Sequence, residues 1–135
     1  MKKIATIIVF TIITIVFVLA QQPNAMQQSV MRGKAVYTKF CLSCHQADGG
    51  GVPKLNPPLI VTEYINDKNK MIKIVLKGMT ERIAIDDEKY SNNMAPHNNL
   101  TNQQIADVLT YVRNSFGNNA GAVTVAEVQA VRNKQ

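Results

Sequence analysis

Cys41-Leu42-Ser43-Cys44-His45 is the stretch on which the reading of this chain turns. Its cysteines are the only two in the chain, separated by two residues, and a histidine follows the second at once. That spacing is the attachment signature of a covalently bound haem c, here one per chain. Two thiols about one helical turn apart reach the two vinyl groups of one porphyrin edge and form thioethers. The imidazole on the next residue then turns back toward the iron from the proximal side. Cys41 and Cys44 are therefore the candidate covalent attachments, and His45 the candidate proximal ligand. Other uses of the motif fit less well. A thioredoxin-like redox pair needs a βαβ setting, whereas the residues before Cys41 read as helix. A structural zinc site takes about four ligands, usually from two such pairs, and this chain has one pair plus His45 and His97. A disulfide across two residues would be strained and would leave His45 without a role.

The N-terminus reads as an export signal. Lys2 and Lys3 precede an apolar run from Ile4 to Ala20, broken only by Thr6, Thr11 and Thr14, and polarity returns at Gln21-Gln22-Pro23-Asn24. Val18-Leu19-Ala20 supplies a processing site, so residues 1–20 are expected to be a signal peptide cleaved after Ala20, with Ala25 as a second site. The alternative is an uncleaved anchor, because the run sits at the lower end of the roughly 17–25 residues that span a bilayer. The expected compartment is the periplasm. Removing Lys2 and Lys3 lowers the formal charge from +6 to +4. The remaining lysines are scattered, with no block of like charge to suggest nucleic-acid binding; a mildly basic face suits an acidic protein partner. What remains is one domain by length, expected to be monomeric. With no tryptophan and four phenylalanines in the whole chain, its core depends on the apolar body of the porphyrin, and the haem-free protein is expected to fold poorly.

Residues 21–28 read as a flexible lead-in. Ser29 is a candidate N-cap for a helix over about 29–42, with Val30, Met31, Val36, Tyr37 and Phe40 at loosely helical spacing. Gly33 inside it costs on the order of 1 kcal/mol against alanine, and a close helix crossing is the packing reason to expect. Gln46 to Pro53 is turn-rich, and Asn56-Pro57-Pro58 is extended by its prolines. A ligating histidine commonly gives its other ring N–H to a carbonyl, and Pro57 is the candidate acceptor for His45. Leu59 is placed to pack on the porphyrin face. Asp67 caps a helix through Lys77 that closes at Gly78, and residues 81–90 suggest a small hairpin or an irregular loop around Asp86-Asp87. Thr101 with Gln104 forms a capping box. It opens an amphipathic helix carrying Ile105, Val108, Leu109 and Val112 and ending at Gly117. Thr124 with Glu127 opens a short terminal helix in a C-terminal extension, residues 118–135.

A sixth ligand is sought among the methionines. Met94 lies on the polar, proline-terminated stretch Asn92-Asn93-Met94-Ala95-Pro96-His97, outside any core-forming pattern, and a thioether is a soft ligand suited to haem iron. Met31 and Met71 read as helix packing. Met79 and His97 are the rivals for the position.

Taken together, these residues resemble a class I (mitochondrial-type fold) bacterial cytochrome c over about residues 29–117. The resemblance is carried by Gly33 to Tyr37, Cys41 to His45, Pro57-Pro58-Leu59, Met94 and Leu109-Thr110-Tyr111-Val112-Arg113. It implies an all-α cytochrome c fold of three to five helices around one haem, with the N- and C-terminal helices crossing at the glycine. It implies His45 as proximal ligand, Met94 as distal ligand and one-electron transfer without catalytic residues. In that family proline commonly follows the methionine directly, whereas here Ala95 precedes Pro96. The C-terminal part also looks like cytochromes that serve periplasmic dehydrogenases and reductases. Redox partners of the dehydrogenase, reductase or oxidase class follow, for a free carrier or an accessory subunit. The rival from another class is a five-coordinate haem sensor or peroxidase-like protein using His97 and Arg82.

Overall fold

The computed structural model describes Ile12, residues 23–60 and residues 62–134. Apart from Ile12, the expected signal segment and its cleavage site lie outside the described residues. Among the described residues no helix is long and apolar enough to cross a membrane.

Helix α1 spans Ala25–Phe40 and opens four residues earlier than its apolar spacing suggests. The N-cap is Asn24, not Ser29. Its side chain accepts from the Gln27 amide at 2.9 Å, and the Gln27 side chain accepts from the Asn24 amide at 2.9 Å. This amide version of the capping box satisfies two orphan donors, so Ala25 to Gln28 are helix rather than a flexible lead-in. Ser29, freed from capping, donates to Asp107 Oδ1 at 2.6 Å. After a break at Cys41, the single turn α2 (Leu42–His45) carries the rest of the motif. Then come α3 (Glu63–Asn66) and α4 (Lys68–Lys77); Asp67 caps α4 by accepting from the Lys70 amide at 2.9 Å. Strands β1 (Ile83–Ile85) and β2 (Glu88–Tyr90) pair antiparallel, Ile83 with Tyr90 and Ile85 with Glu88. Asp86 and Asp87 both take positive φ, as a two-residue hairpin turn of this twist requires. Helix α5 is Asn102–Arg113 and α6 is Val125–Arg132, each opened by its threonine capping box.

Helix α5 ends at Arg113, not at Gly117. Asn114 turns its side chain back to donate to Thr110 O at 2.8 Å, and Phe116 adopts φ 59°. That turn swings the Phe116 ring against Tyr37 and Tyr111, with centroids 5.3 and 5.5 Å away. Burying an aromatic ring outweighs one strained backbone residue.

The frame is the crossing of α1 on α5, and Gly33 permits it. A Cβ at position 33 would lie 2.0 Å from Asp107 O and 2.7 Å from Tyr111 Cβ. Beside the contact, the buried Asp107 carboxylate receives Arg32 Nε at 2.7 Å and Gln103 Nε2 at 3.0 Å, besides Ser29. Burial raises its pKa, but these hydrogen bonds outweigh burial and hold it below the usual carboxylate value. Met31 is two residues from Gly33, on the far side of α1, and is 57% exposed rather than packed. The core runs from Tyr37 through Ile72, Leu76 and Ile105 to Val128. Segment 118–134, delimited as an extension in the sequence, contributes Val123, Val128 and Val131 to that same core. Among the described residues the fold is all-α apart from the two-stranded hairpin.

Candidate haem-binding site

The elements enclose an apolar cleft of about 830 Å³, counting the space open to solvent. Cys41, His45, Pro57, Leu59, Met94 and His97 all line it. Helix α4 supplies Met71, Ile74 and Val75 to its wall, α5 supplies Val108, Leu109 and Val112, and β1 supplies Ile83 and Ile85. Those hairpin residues carried no sign of this role in their short alternating pattern.

His45 is positioned by backbone on both sides. Its amide donates to Cys41 O at 2.9 Å and its carbonyl accepts from the Gly51 amide at 3.1 Å. Gly51, at φ 69°, is where the loop doubles back; a Cβ there would lie 2.3 Å from Asn56 O and 2.7 Å from Pro57 O. The absence of a side chain lets the Pro57 carbonyl reach the imidazole, and His45 Nδ1 lies 3.1 Å from Pro57 O. A carbonyl can only accept, so Nδ1 carries the proton and Nε2 keeps its lone pair. Burial lowers the His45 pKa, the Pro57 bond opposes it, and the positive charge His97 can carry lowers it further. A neutral imidazole with a free Nε2 is the form that binds metal.

Cys41 is half-buried at the cleft wall, whereas Cys44 is exposed and lies outside the lining, both as free thiols. Burial first, then the neighbouring Cys44, pushes the Cys41 thiol up to about 11. Among the described residues no group of three or more His, Cys, Asp and Glu is placed to hold a metal ion.

Met79 and Met94 form a two-way backbone bridge, amide to carbonyl at 2.9 and 2.8 Å. Residues so paired project to the same side, and both methionines line the cleft. His97 also lines it; its amide donates to Val75 O at 2.8 Å and its ring meets Phe40 edge-on at 6.2 Å. Arg82, named for a peroxidase-like alternative, is exposed and does not line the cleft.

Two supporting side chains were not legible beforehand. Tyr37 Oη donates to Gln46 O at 2.7 Å, fixing the residue after His45. Asn118 Nδ2 donates to Leu59 O at 2.7 Å and to Val112 O at 2.8 Å, joining the Leu59 wall to α5. In sequence Asn118 belongs to an Asn-Asn-Ala-Gly stretch that signals only a loop.

The donor set fits a covalently attached haem. The cleft is apolar, two thiols stand one turn apart, an imidazole has its second nitrogen committed, and thioethers face the same space. Helices crossed at a glycine around such a cleft define a class of haem proteins, the c-type cytochromes. The cytochrome c family model matches residues 30–116. This chain belongs to the cytochrome c family, in its class I branch. It is 34% identical over 109 residues to the cytochrome c subunit of a quinone-dependent alcohol dehydrogenase from Gluconacetobacter polyoxogenes, covering 74% of this chain and 22% of that one. It is 31% identical over 120 residues to the fructose dehydrogenase cytochrome subunit of Gluconobacter japonicus, covering 84% and 24%. It is 30% identical over 90 residues to cytochrome c-552 of Thermus thermophilus, covering 63% and 68%. The chain thus spans less than a quarter of the length of those dehydrogenase subunits.

Proposed function

We propose that this chain is a periplasmic mono-haem electron carrier, with Cys41 and Cys44 as thioether anchors, His45 as proximal ligand and Met94 as distal ligand. The observation that carries the reading is the meeting of His45, with Nδ1 held 3.1 Å from Pro57 O, and Met94 on one apolar cleft. When bound, haem c supplies a one-electron ferric/ferrous couple. The residues do the rest. Pro57 fixes the tautomer and orientation of His45. Met94, as a thioether, favours the ferrous state relative to a second imidazole. Leu59, Ile83, Ile85 and Val108 exclude water, which limits reorganisation when charge changes. Cys44 is exposed, so a group anchored through its sulfur has an edge within reach of a docked protein. Redox encounters of this kind bury small interfaces, and surface lysines such as Lys39, Lys54 and Lys89 suit an acidic partner.

Methionine ligation is read from the ferric holoprotein, which should show the weak long-wavelength charge-transfer band that marks His/Met haem. Met94→Ala should lose that band, and Met79→Ala should keep it. The reverse result would make Met79 the ligand. Carbon monoxide binding readily to the untreated ferrous protein would instead favour the five-coordinate sensor or peroxidase-like reading.

The dehydrogenase relatives favour a second reading at the level of partner, an accessory cytochrome subunit that accepts electrons from a periplasmic dehydrogenase. Co-purification of the native protein with such an enzyme would establish it. The proposed division of the chain is residues 1–20 as signal segment, about 25–117 as the haem domain, and 118–135 as a C-terminal segment that packs onto it through Val123, Val128 and Val131.

A further inference from the structure

The stretch that carries Met94 has no regular structure from Ser91 to Thr101, so its course depends on hydrogen bonds to other elements. Its first half is tied down by the Met79 bridge and by the His97 amide on Val75 O. Its second half is held from elsewhere. Arg132, in the last turn of α6, donates through Nη1 to Asn98 O at 3.0 Å, through Nη2 to Leu100 O at 2.8 Å and through Nε to Asn102 Oδ1 at 2.8 Å. All three bonds fall between His97 and the first turn of α5. Among the described residues the ion pairs are Arg32 with Asp107 and Lys68 with Glu127. Arg132 therefore spends its planar fork on the loop and not on a carboxylate. The platform beneath it is firm. Val128 and Val131 are buried in the core, and Glu127 at the other end of α6 accepts from Lys68 at 2.8 Å.

We propose that Arg132 is a positioning residue for the distal ligand, clamping residues 98–102 so that Met94 stays over the cleft, and that α6 is thereby part of the redox site. This rests on the reading of Met94 as sixth ligand. A planar guanidinium matches three acceptors at once, which a lysine ammonium cannot do in the same fixed geometry.

The test compares holoprotein variants Arg132→Gln, Arg132→Lys and Lys68→Met, the last releasing the opposite end of α6. Imidazole uptake by the ferric protein reads how often Met94 leaves, and amide exchange at His97 and Leu100 reads the loop directly. Arg132→Gln should take up imidazole at least about tenfold faster, consistent with loss of several charged hydrogen bonds, and should speed exchange at both amides. Arg132→Lys should restore little of either. Lys68→Met should lower the helical melt while leaving uptake within about twofold of wild type. Unchanged uptake in Arg132→Gln, an equal rise in Lys68→Met, or full restoration by lysine overturns the clamp. These results leave the Met94 reading intact. A wild-type ferric spectrum without the His/Met band, or a band that persists in Met94→Ala, overturns the Met94 reading itself.

Discussion

A methyl group at position 33 would sit 2.0 Å from the Asp107 carbonyl oxygen, an atom fixed in the backbone of α5. Neither helix can yield without losing the contact between Tyr37 and Tyr111, whose rings are 5.3 Å apart. Gly33→Ala should therefore destabilise the holoprotein by about 3 kcal/mol, at the upper end for overpacking, despite alanine being the better helix former. Chemical denaturation followed at the haem absorbance checks this; a neutral or stabilised variant would mean that the two helices separate easily. The glycine was legible in sequence because a helix interior rarely tolerates one without a packing reason. Met31 was misread at the same scale. It is apolar and follows Val30 directly, but the face of α1 turned to α5 is set by Ser29, Gly33 and Tyr37 at i, i+4 and i+8.

At the scale of elements, α1 and α5 are joined by one buried carboxylate as well as by packing. The Asp107 side chain is 3% exposed and that of Arg32 52% exposed, so the carboxylate is the desolvated partner. Because its folded pKa lies below the usual value, its contribution is fully present above the unfolded carboxylate pKa of about 3.9 and is lost as pH falls through the folded pKa. Asp107→Asn should cost roughly 1.5–3 kcal/mol at neutral pH. The gap between variant and wild type should narrow in the acid limb of a stability–pH profile, and a constant gap down to that limb would refute the assignment. Element existence was readable where caps and apolar periodicity agreed, as for α4 and α5, and for α6 from its capping box alone. Boundaries were less so. The Asn24–Gln27 box uses amides in place of the more familiar hydroxyl and carboxylate, and Asn114 ends α5 through a side-chain bond to Thr110.

For the whole molecule, the walls of the cleft come from α1, the proline loop, α4, β1, the methionine stretch and α5. Much of the apolar surface these elements share faces the cleft and not another element. Apoprotein prepared without haem attachment should show reduced helicity and no cooperative melt by circular dichroism; native helicity with a sharp transition would refute this. A porphyrin held against those walls would supply stabilisation in proportion to the area covered. Helix α6 also belongs to this scale. Its sequence shows a capping box and two valines, and nothing in it says that Arg132 reaches three acceptors about 30 residues earlier.

The chain by itself determined the chemistry and the local pieces. Cys41, Cys44 and His45 are close enough in sequence that one helical turn makes them a constellation, and capping boxes act over three residues. Proline and glycine restrict the backbone wherever they stand. Tertiary structure alone decided which carbonyls and side chains meet across the fold: Asn118 on Leu59, Arg132 on the methionine stretch, and Met79 beside Met94. Such pairings join residues far apart in the chain, so no periodicity records them. They exist only once the helices have crossed and the loops have closed.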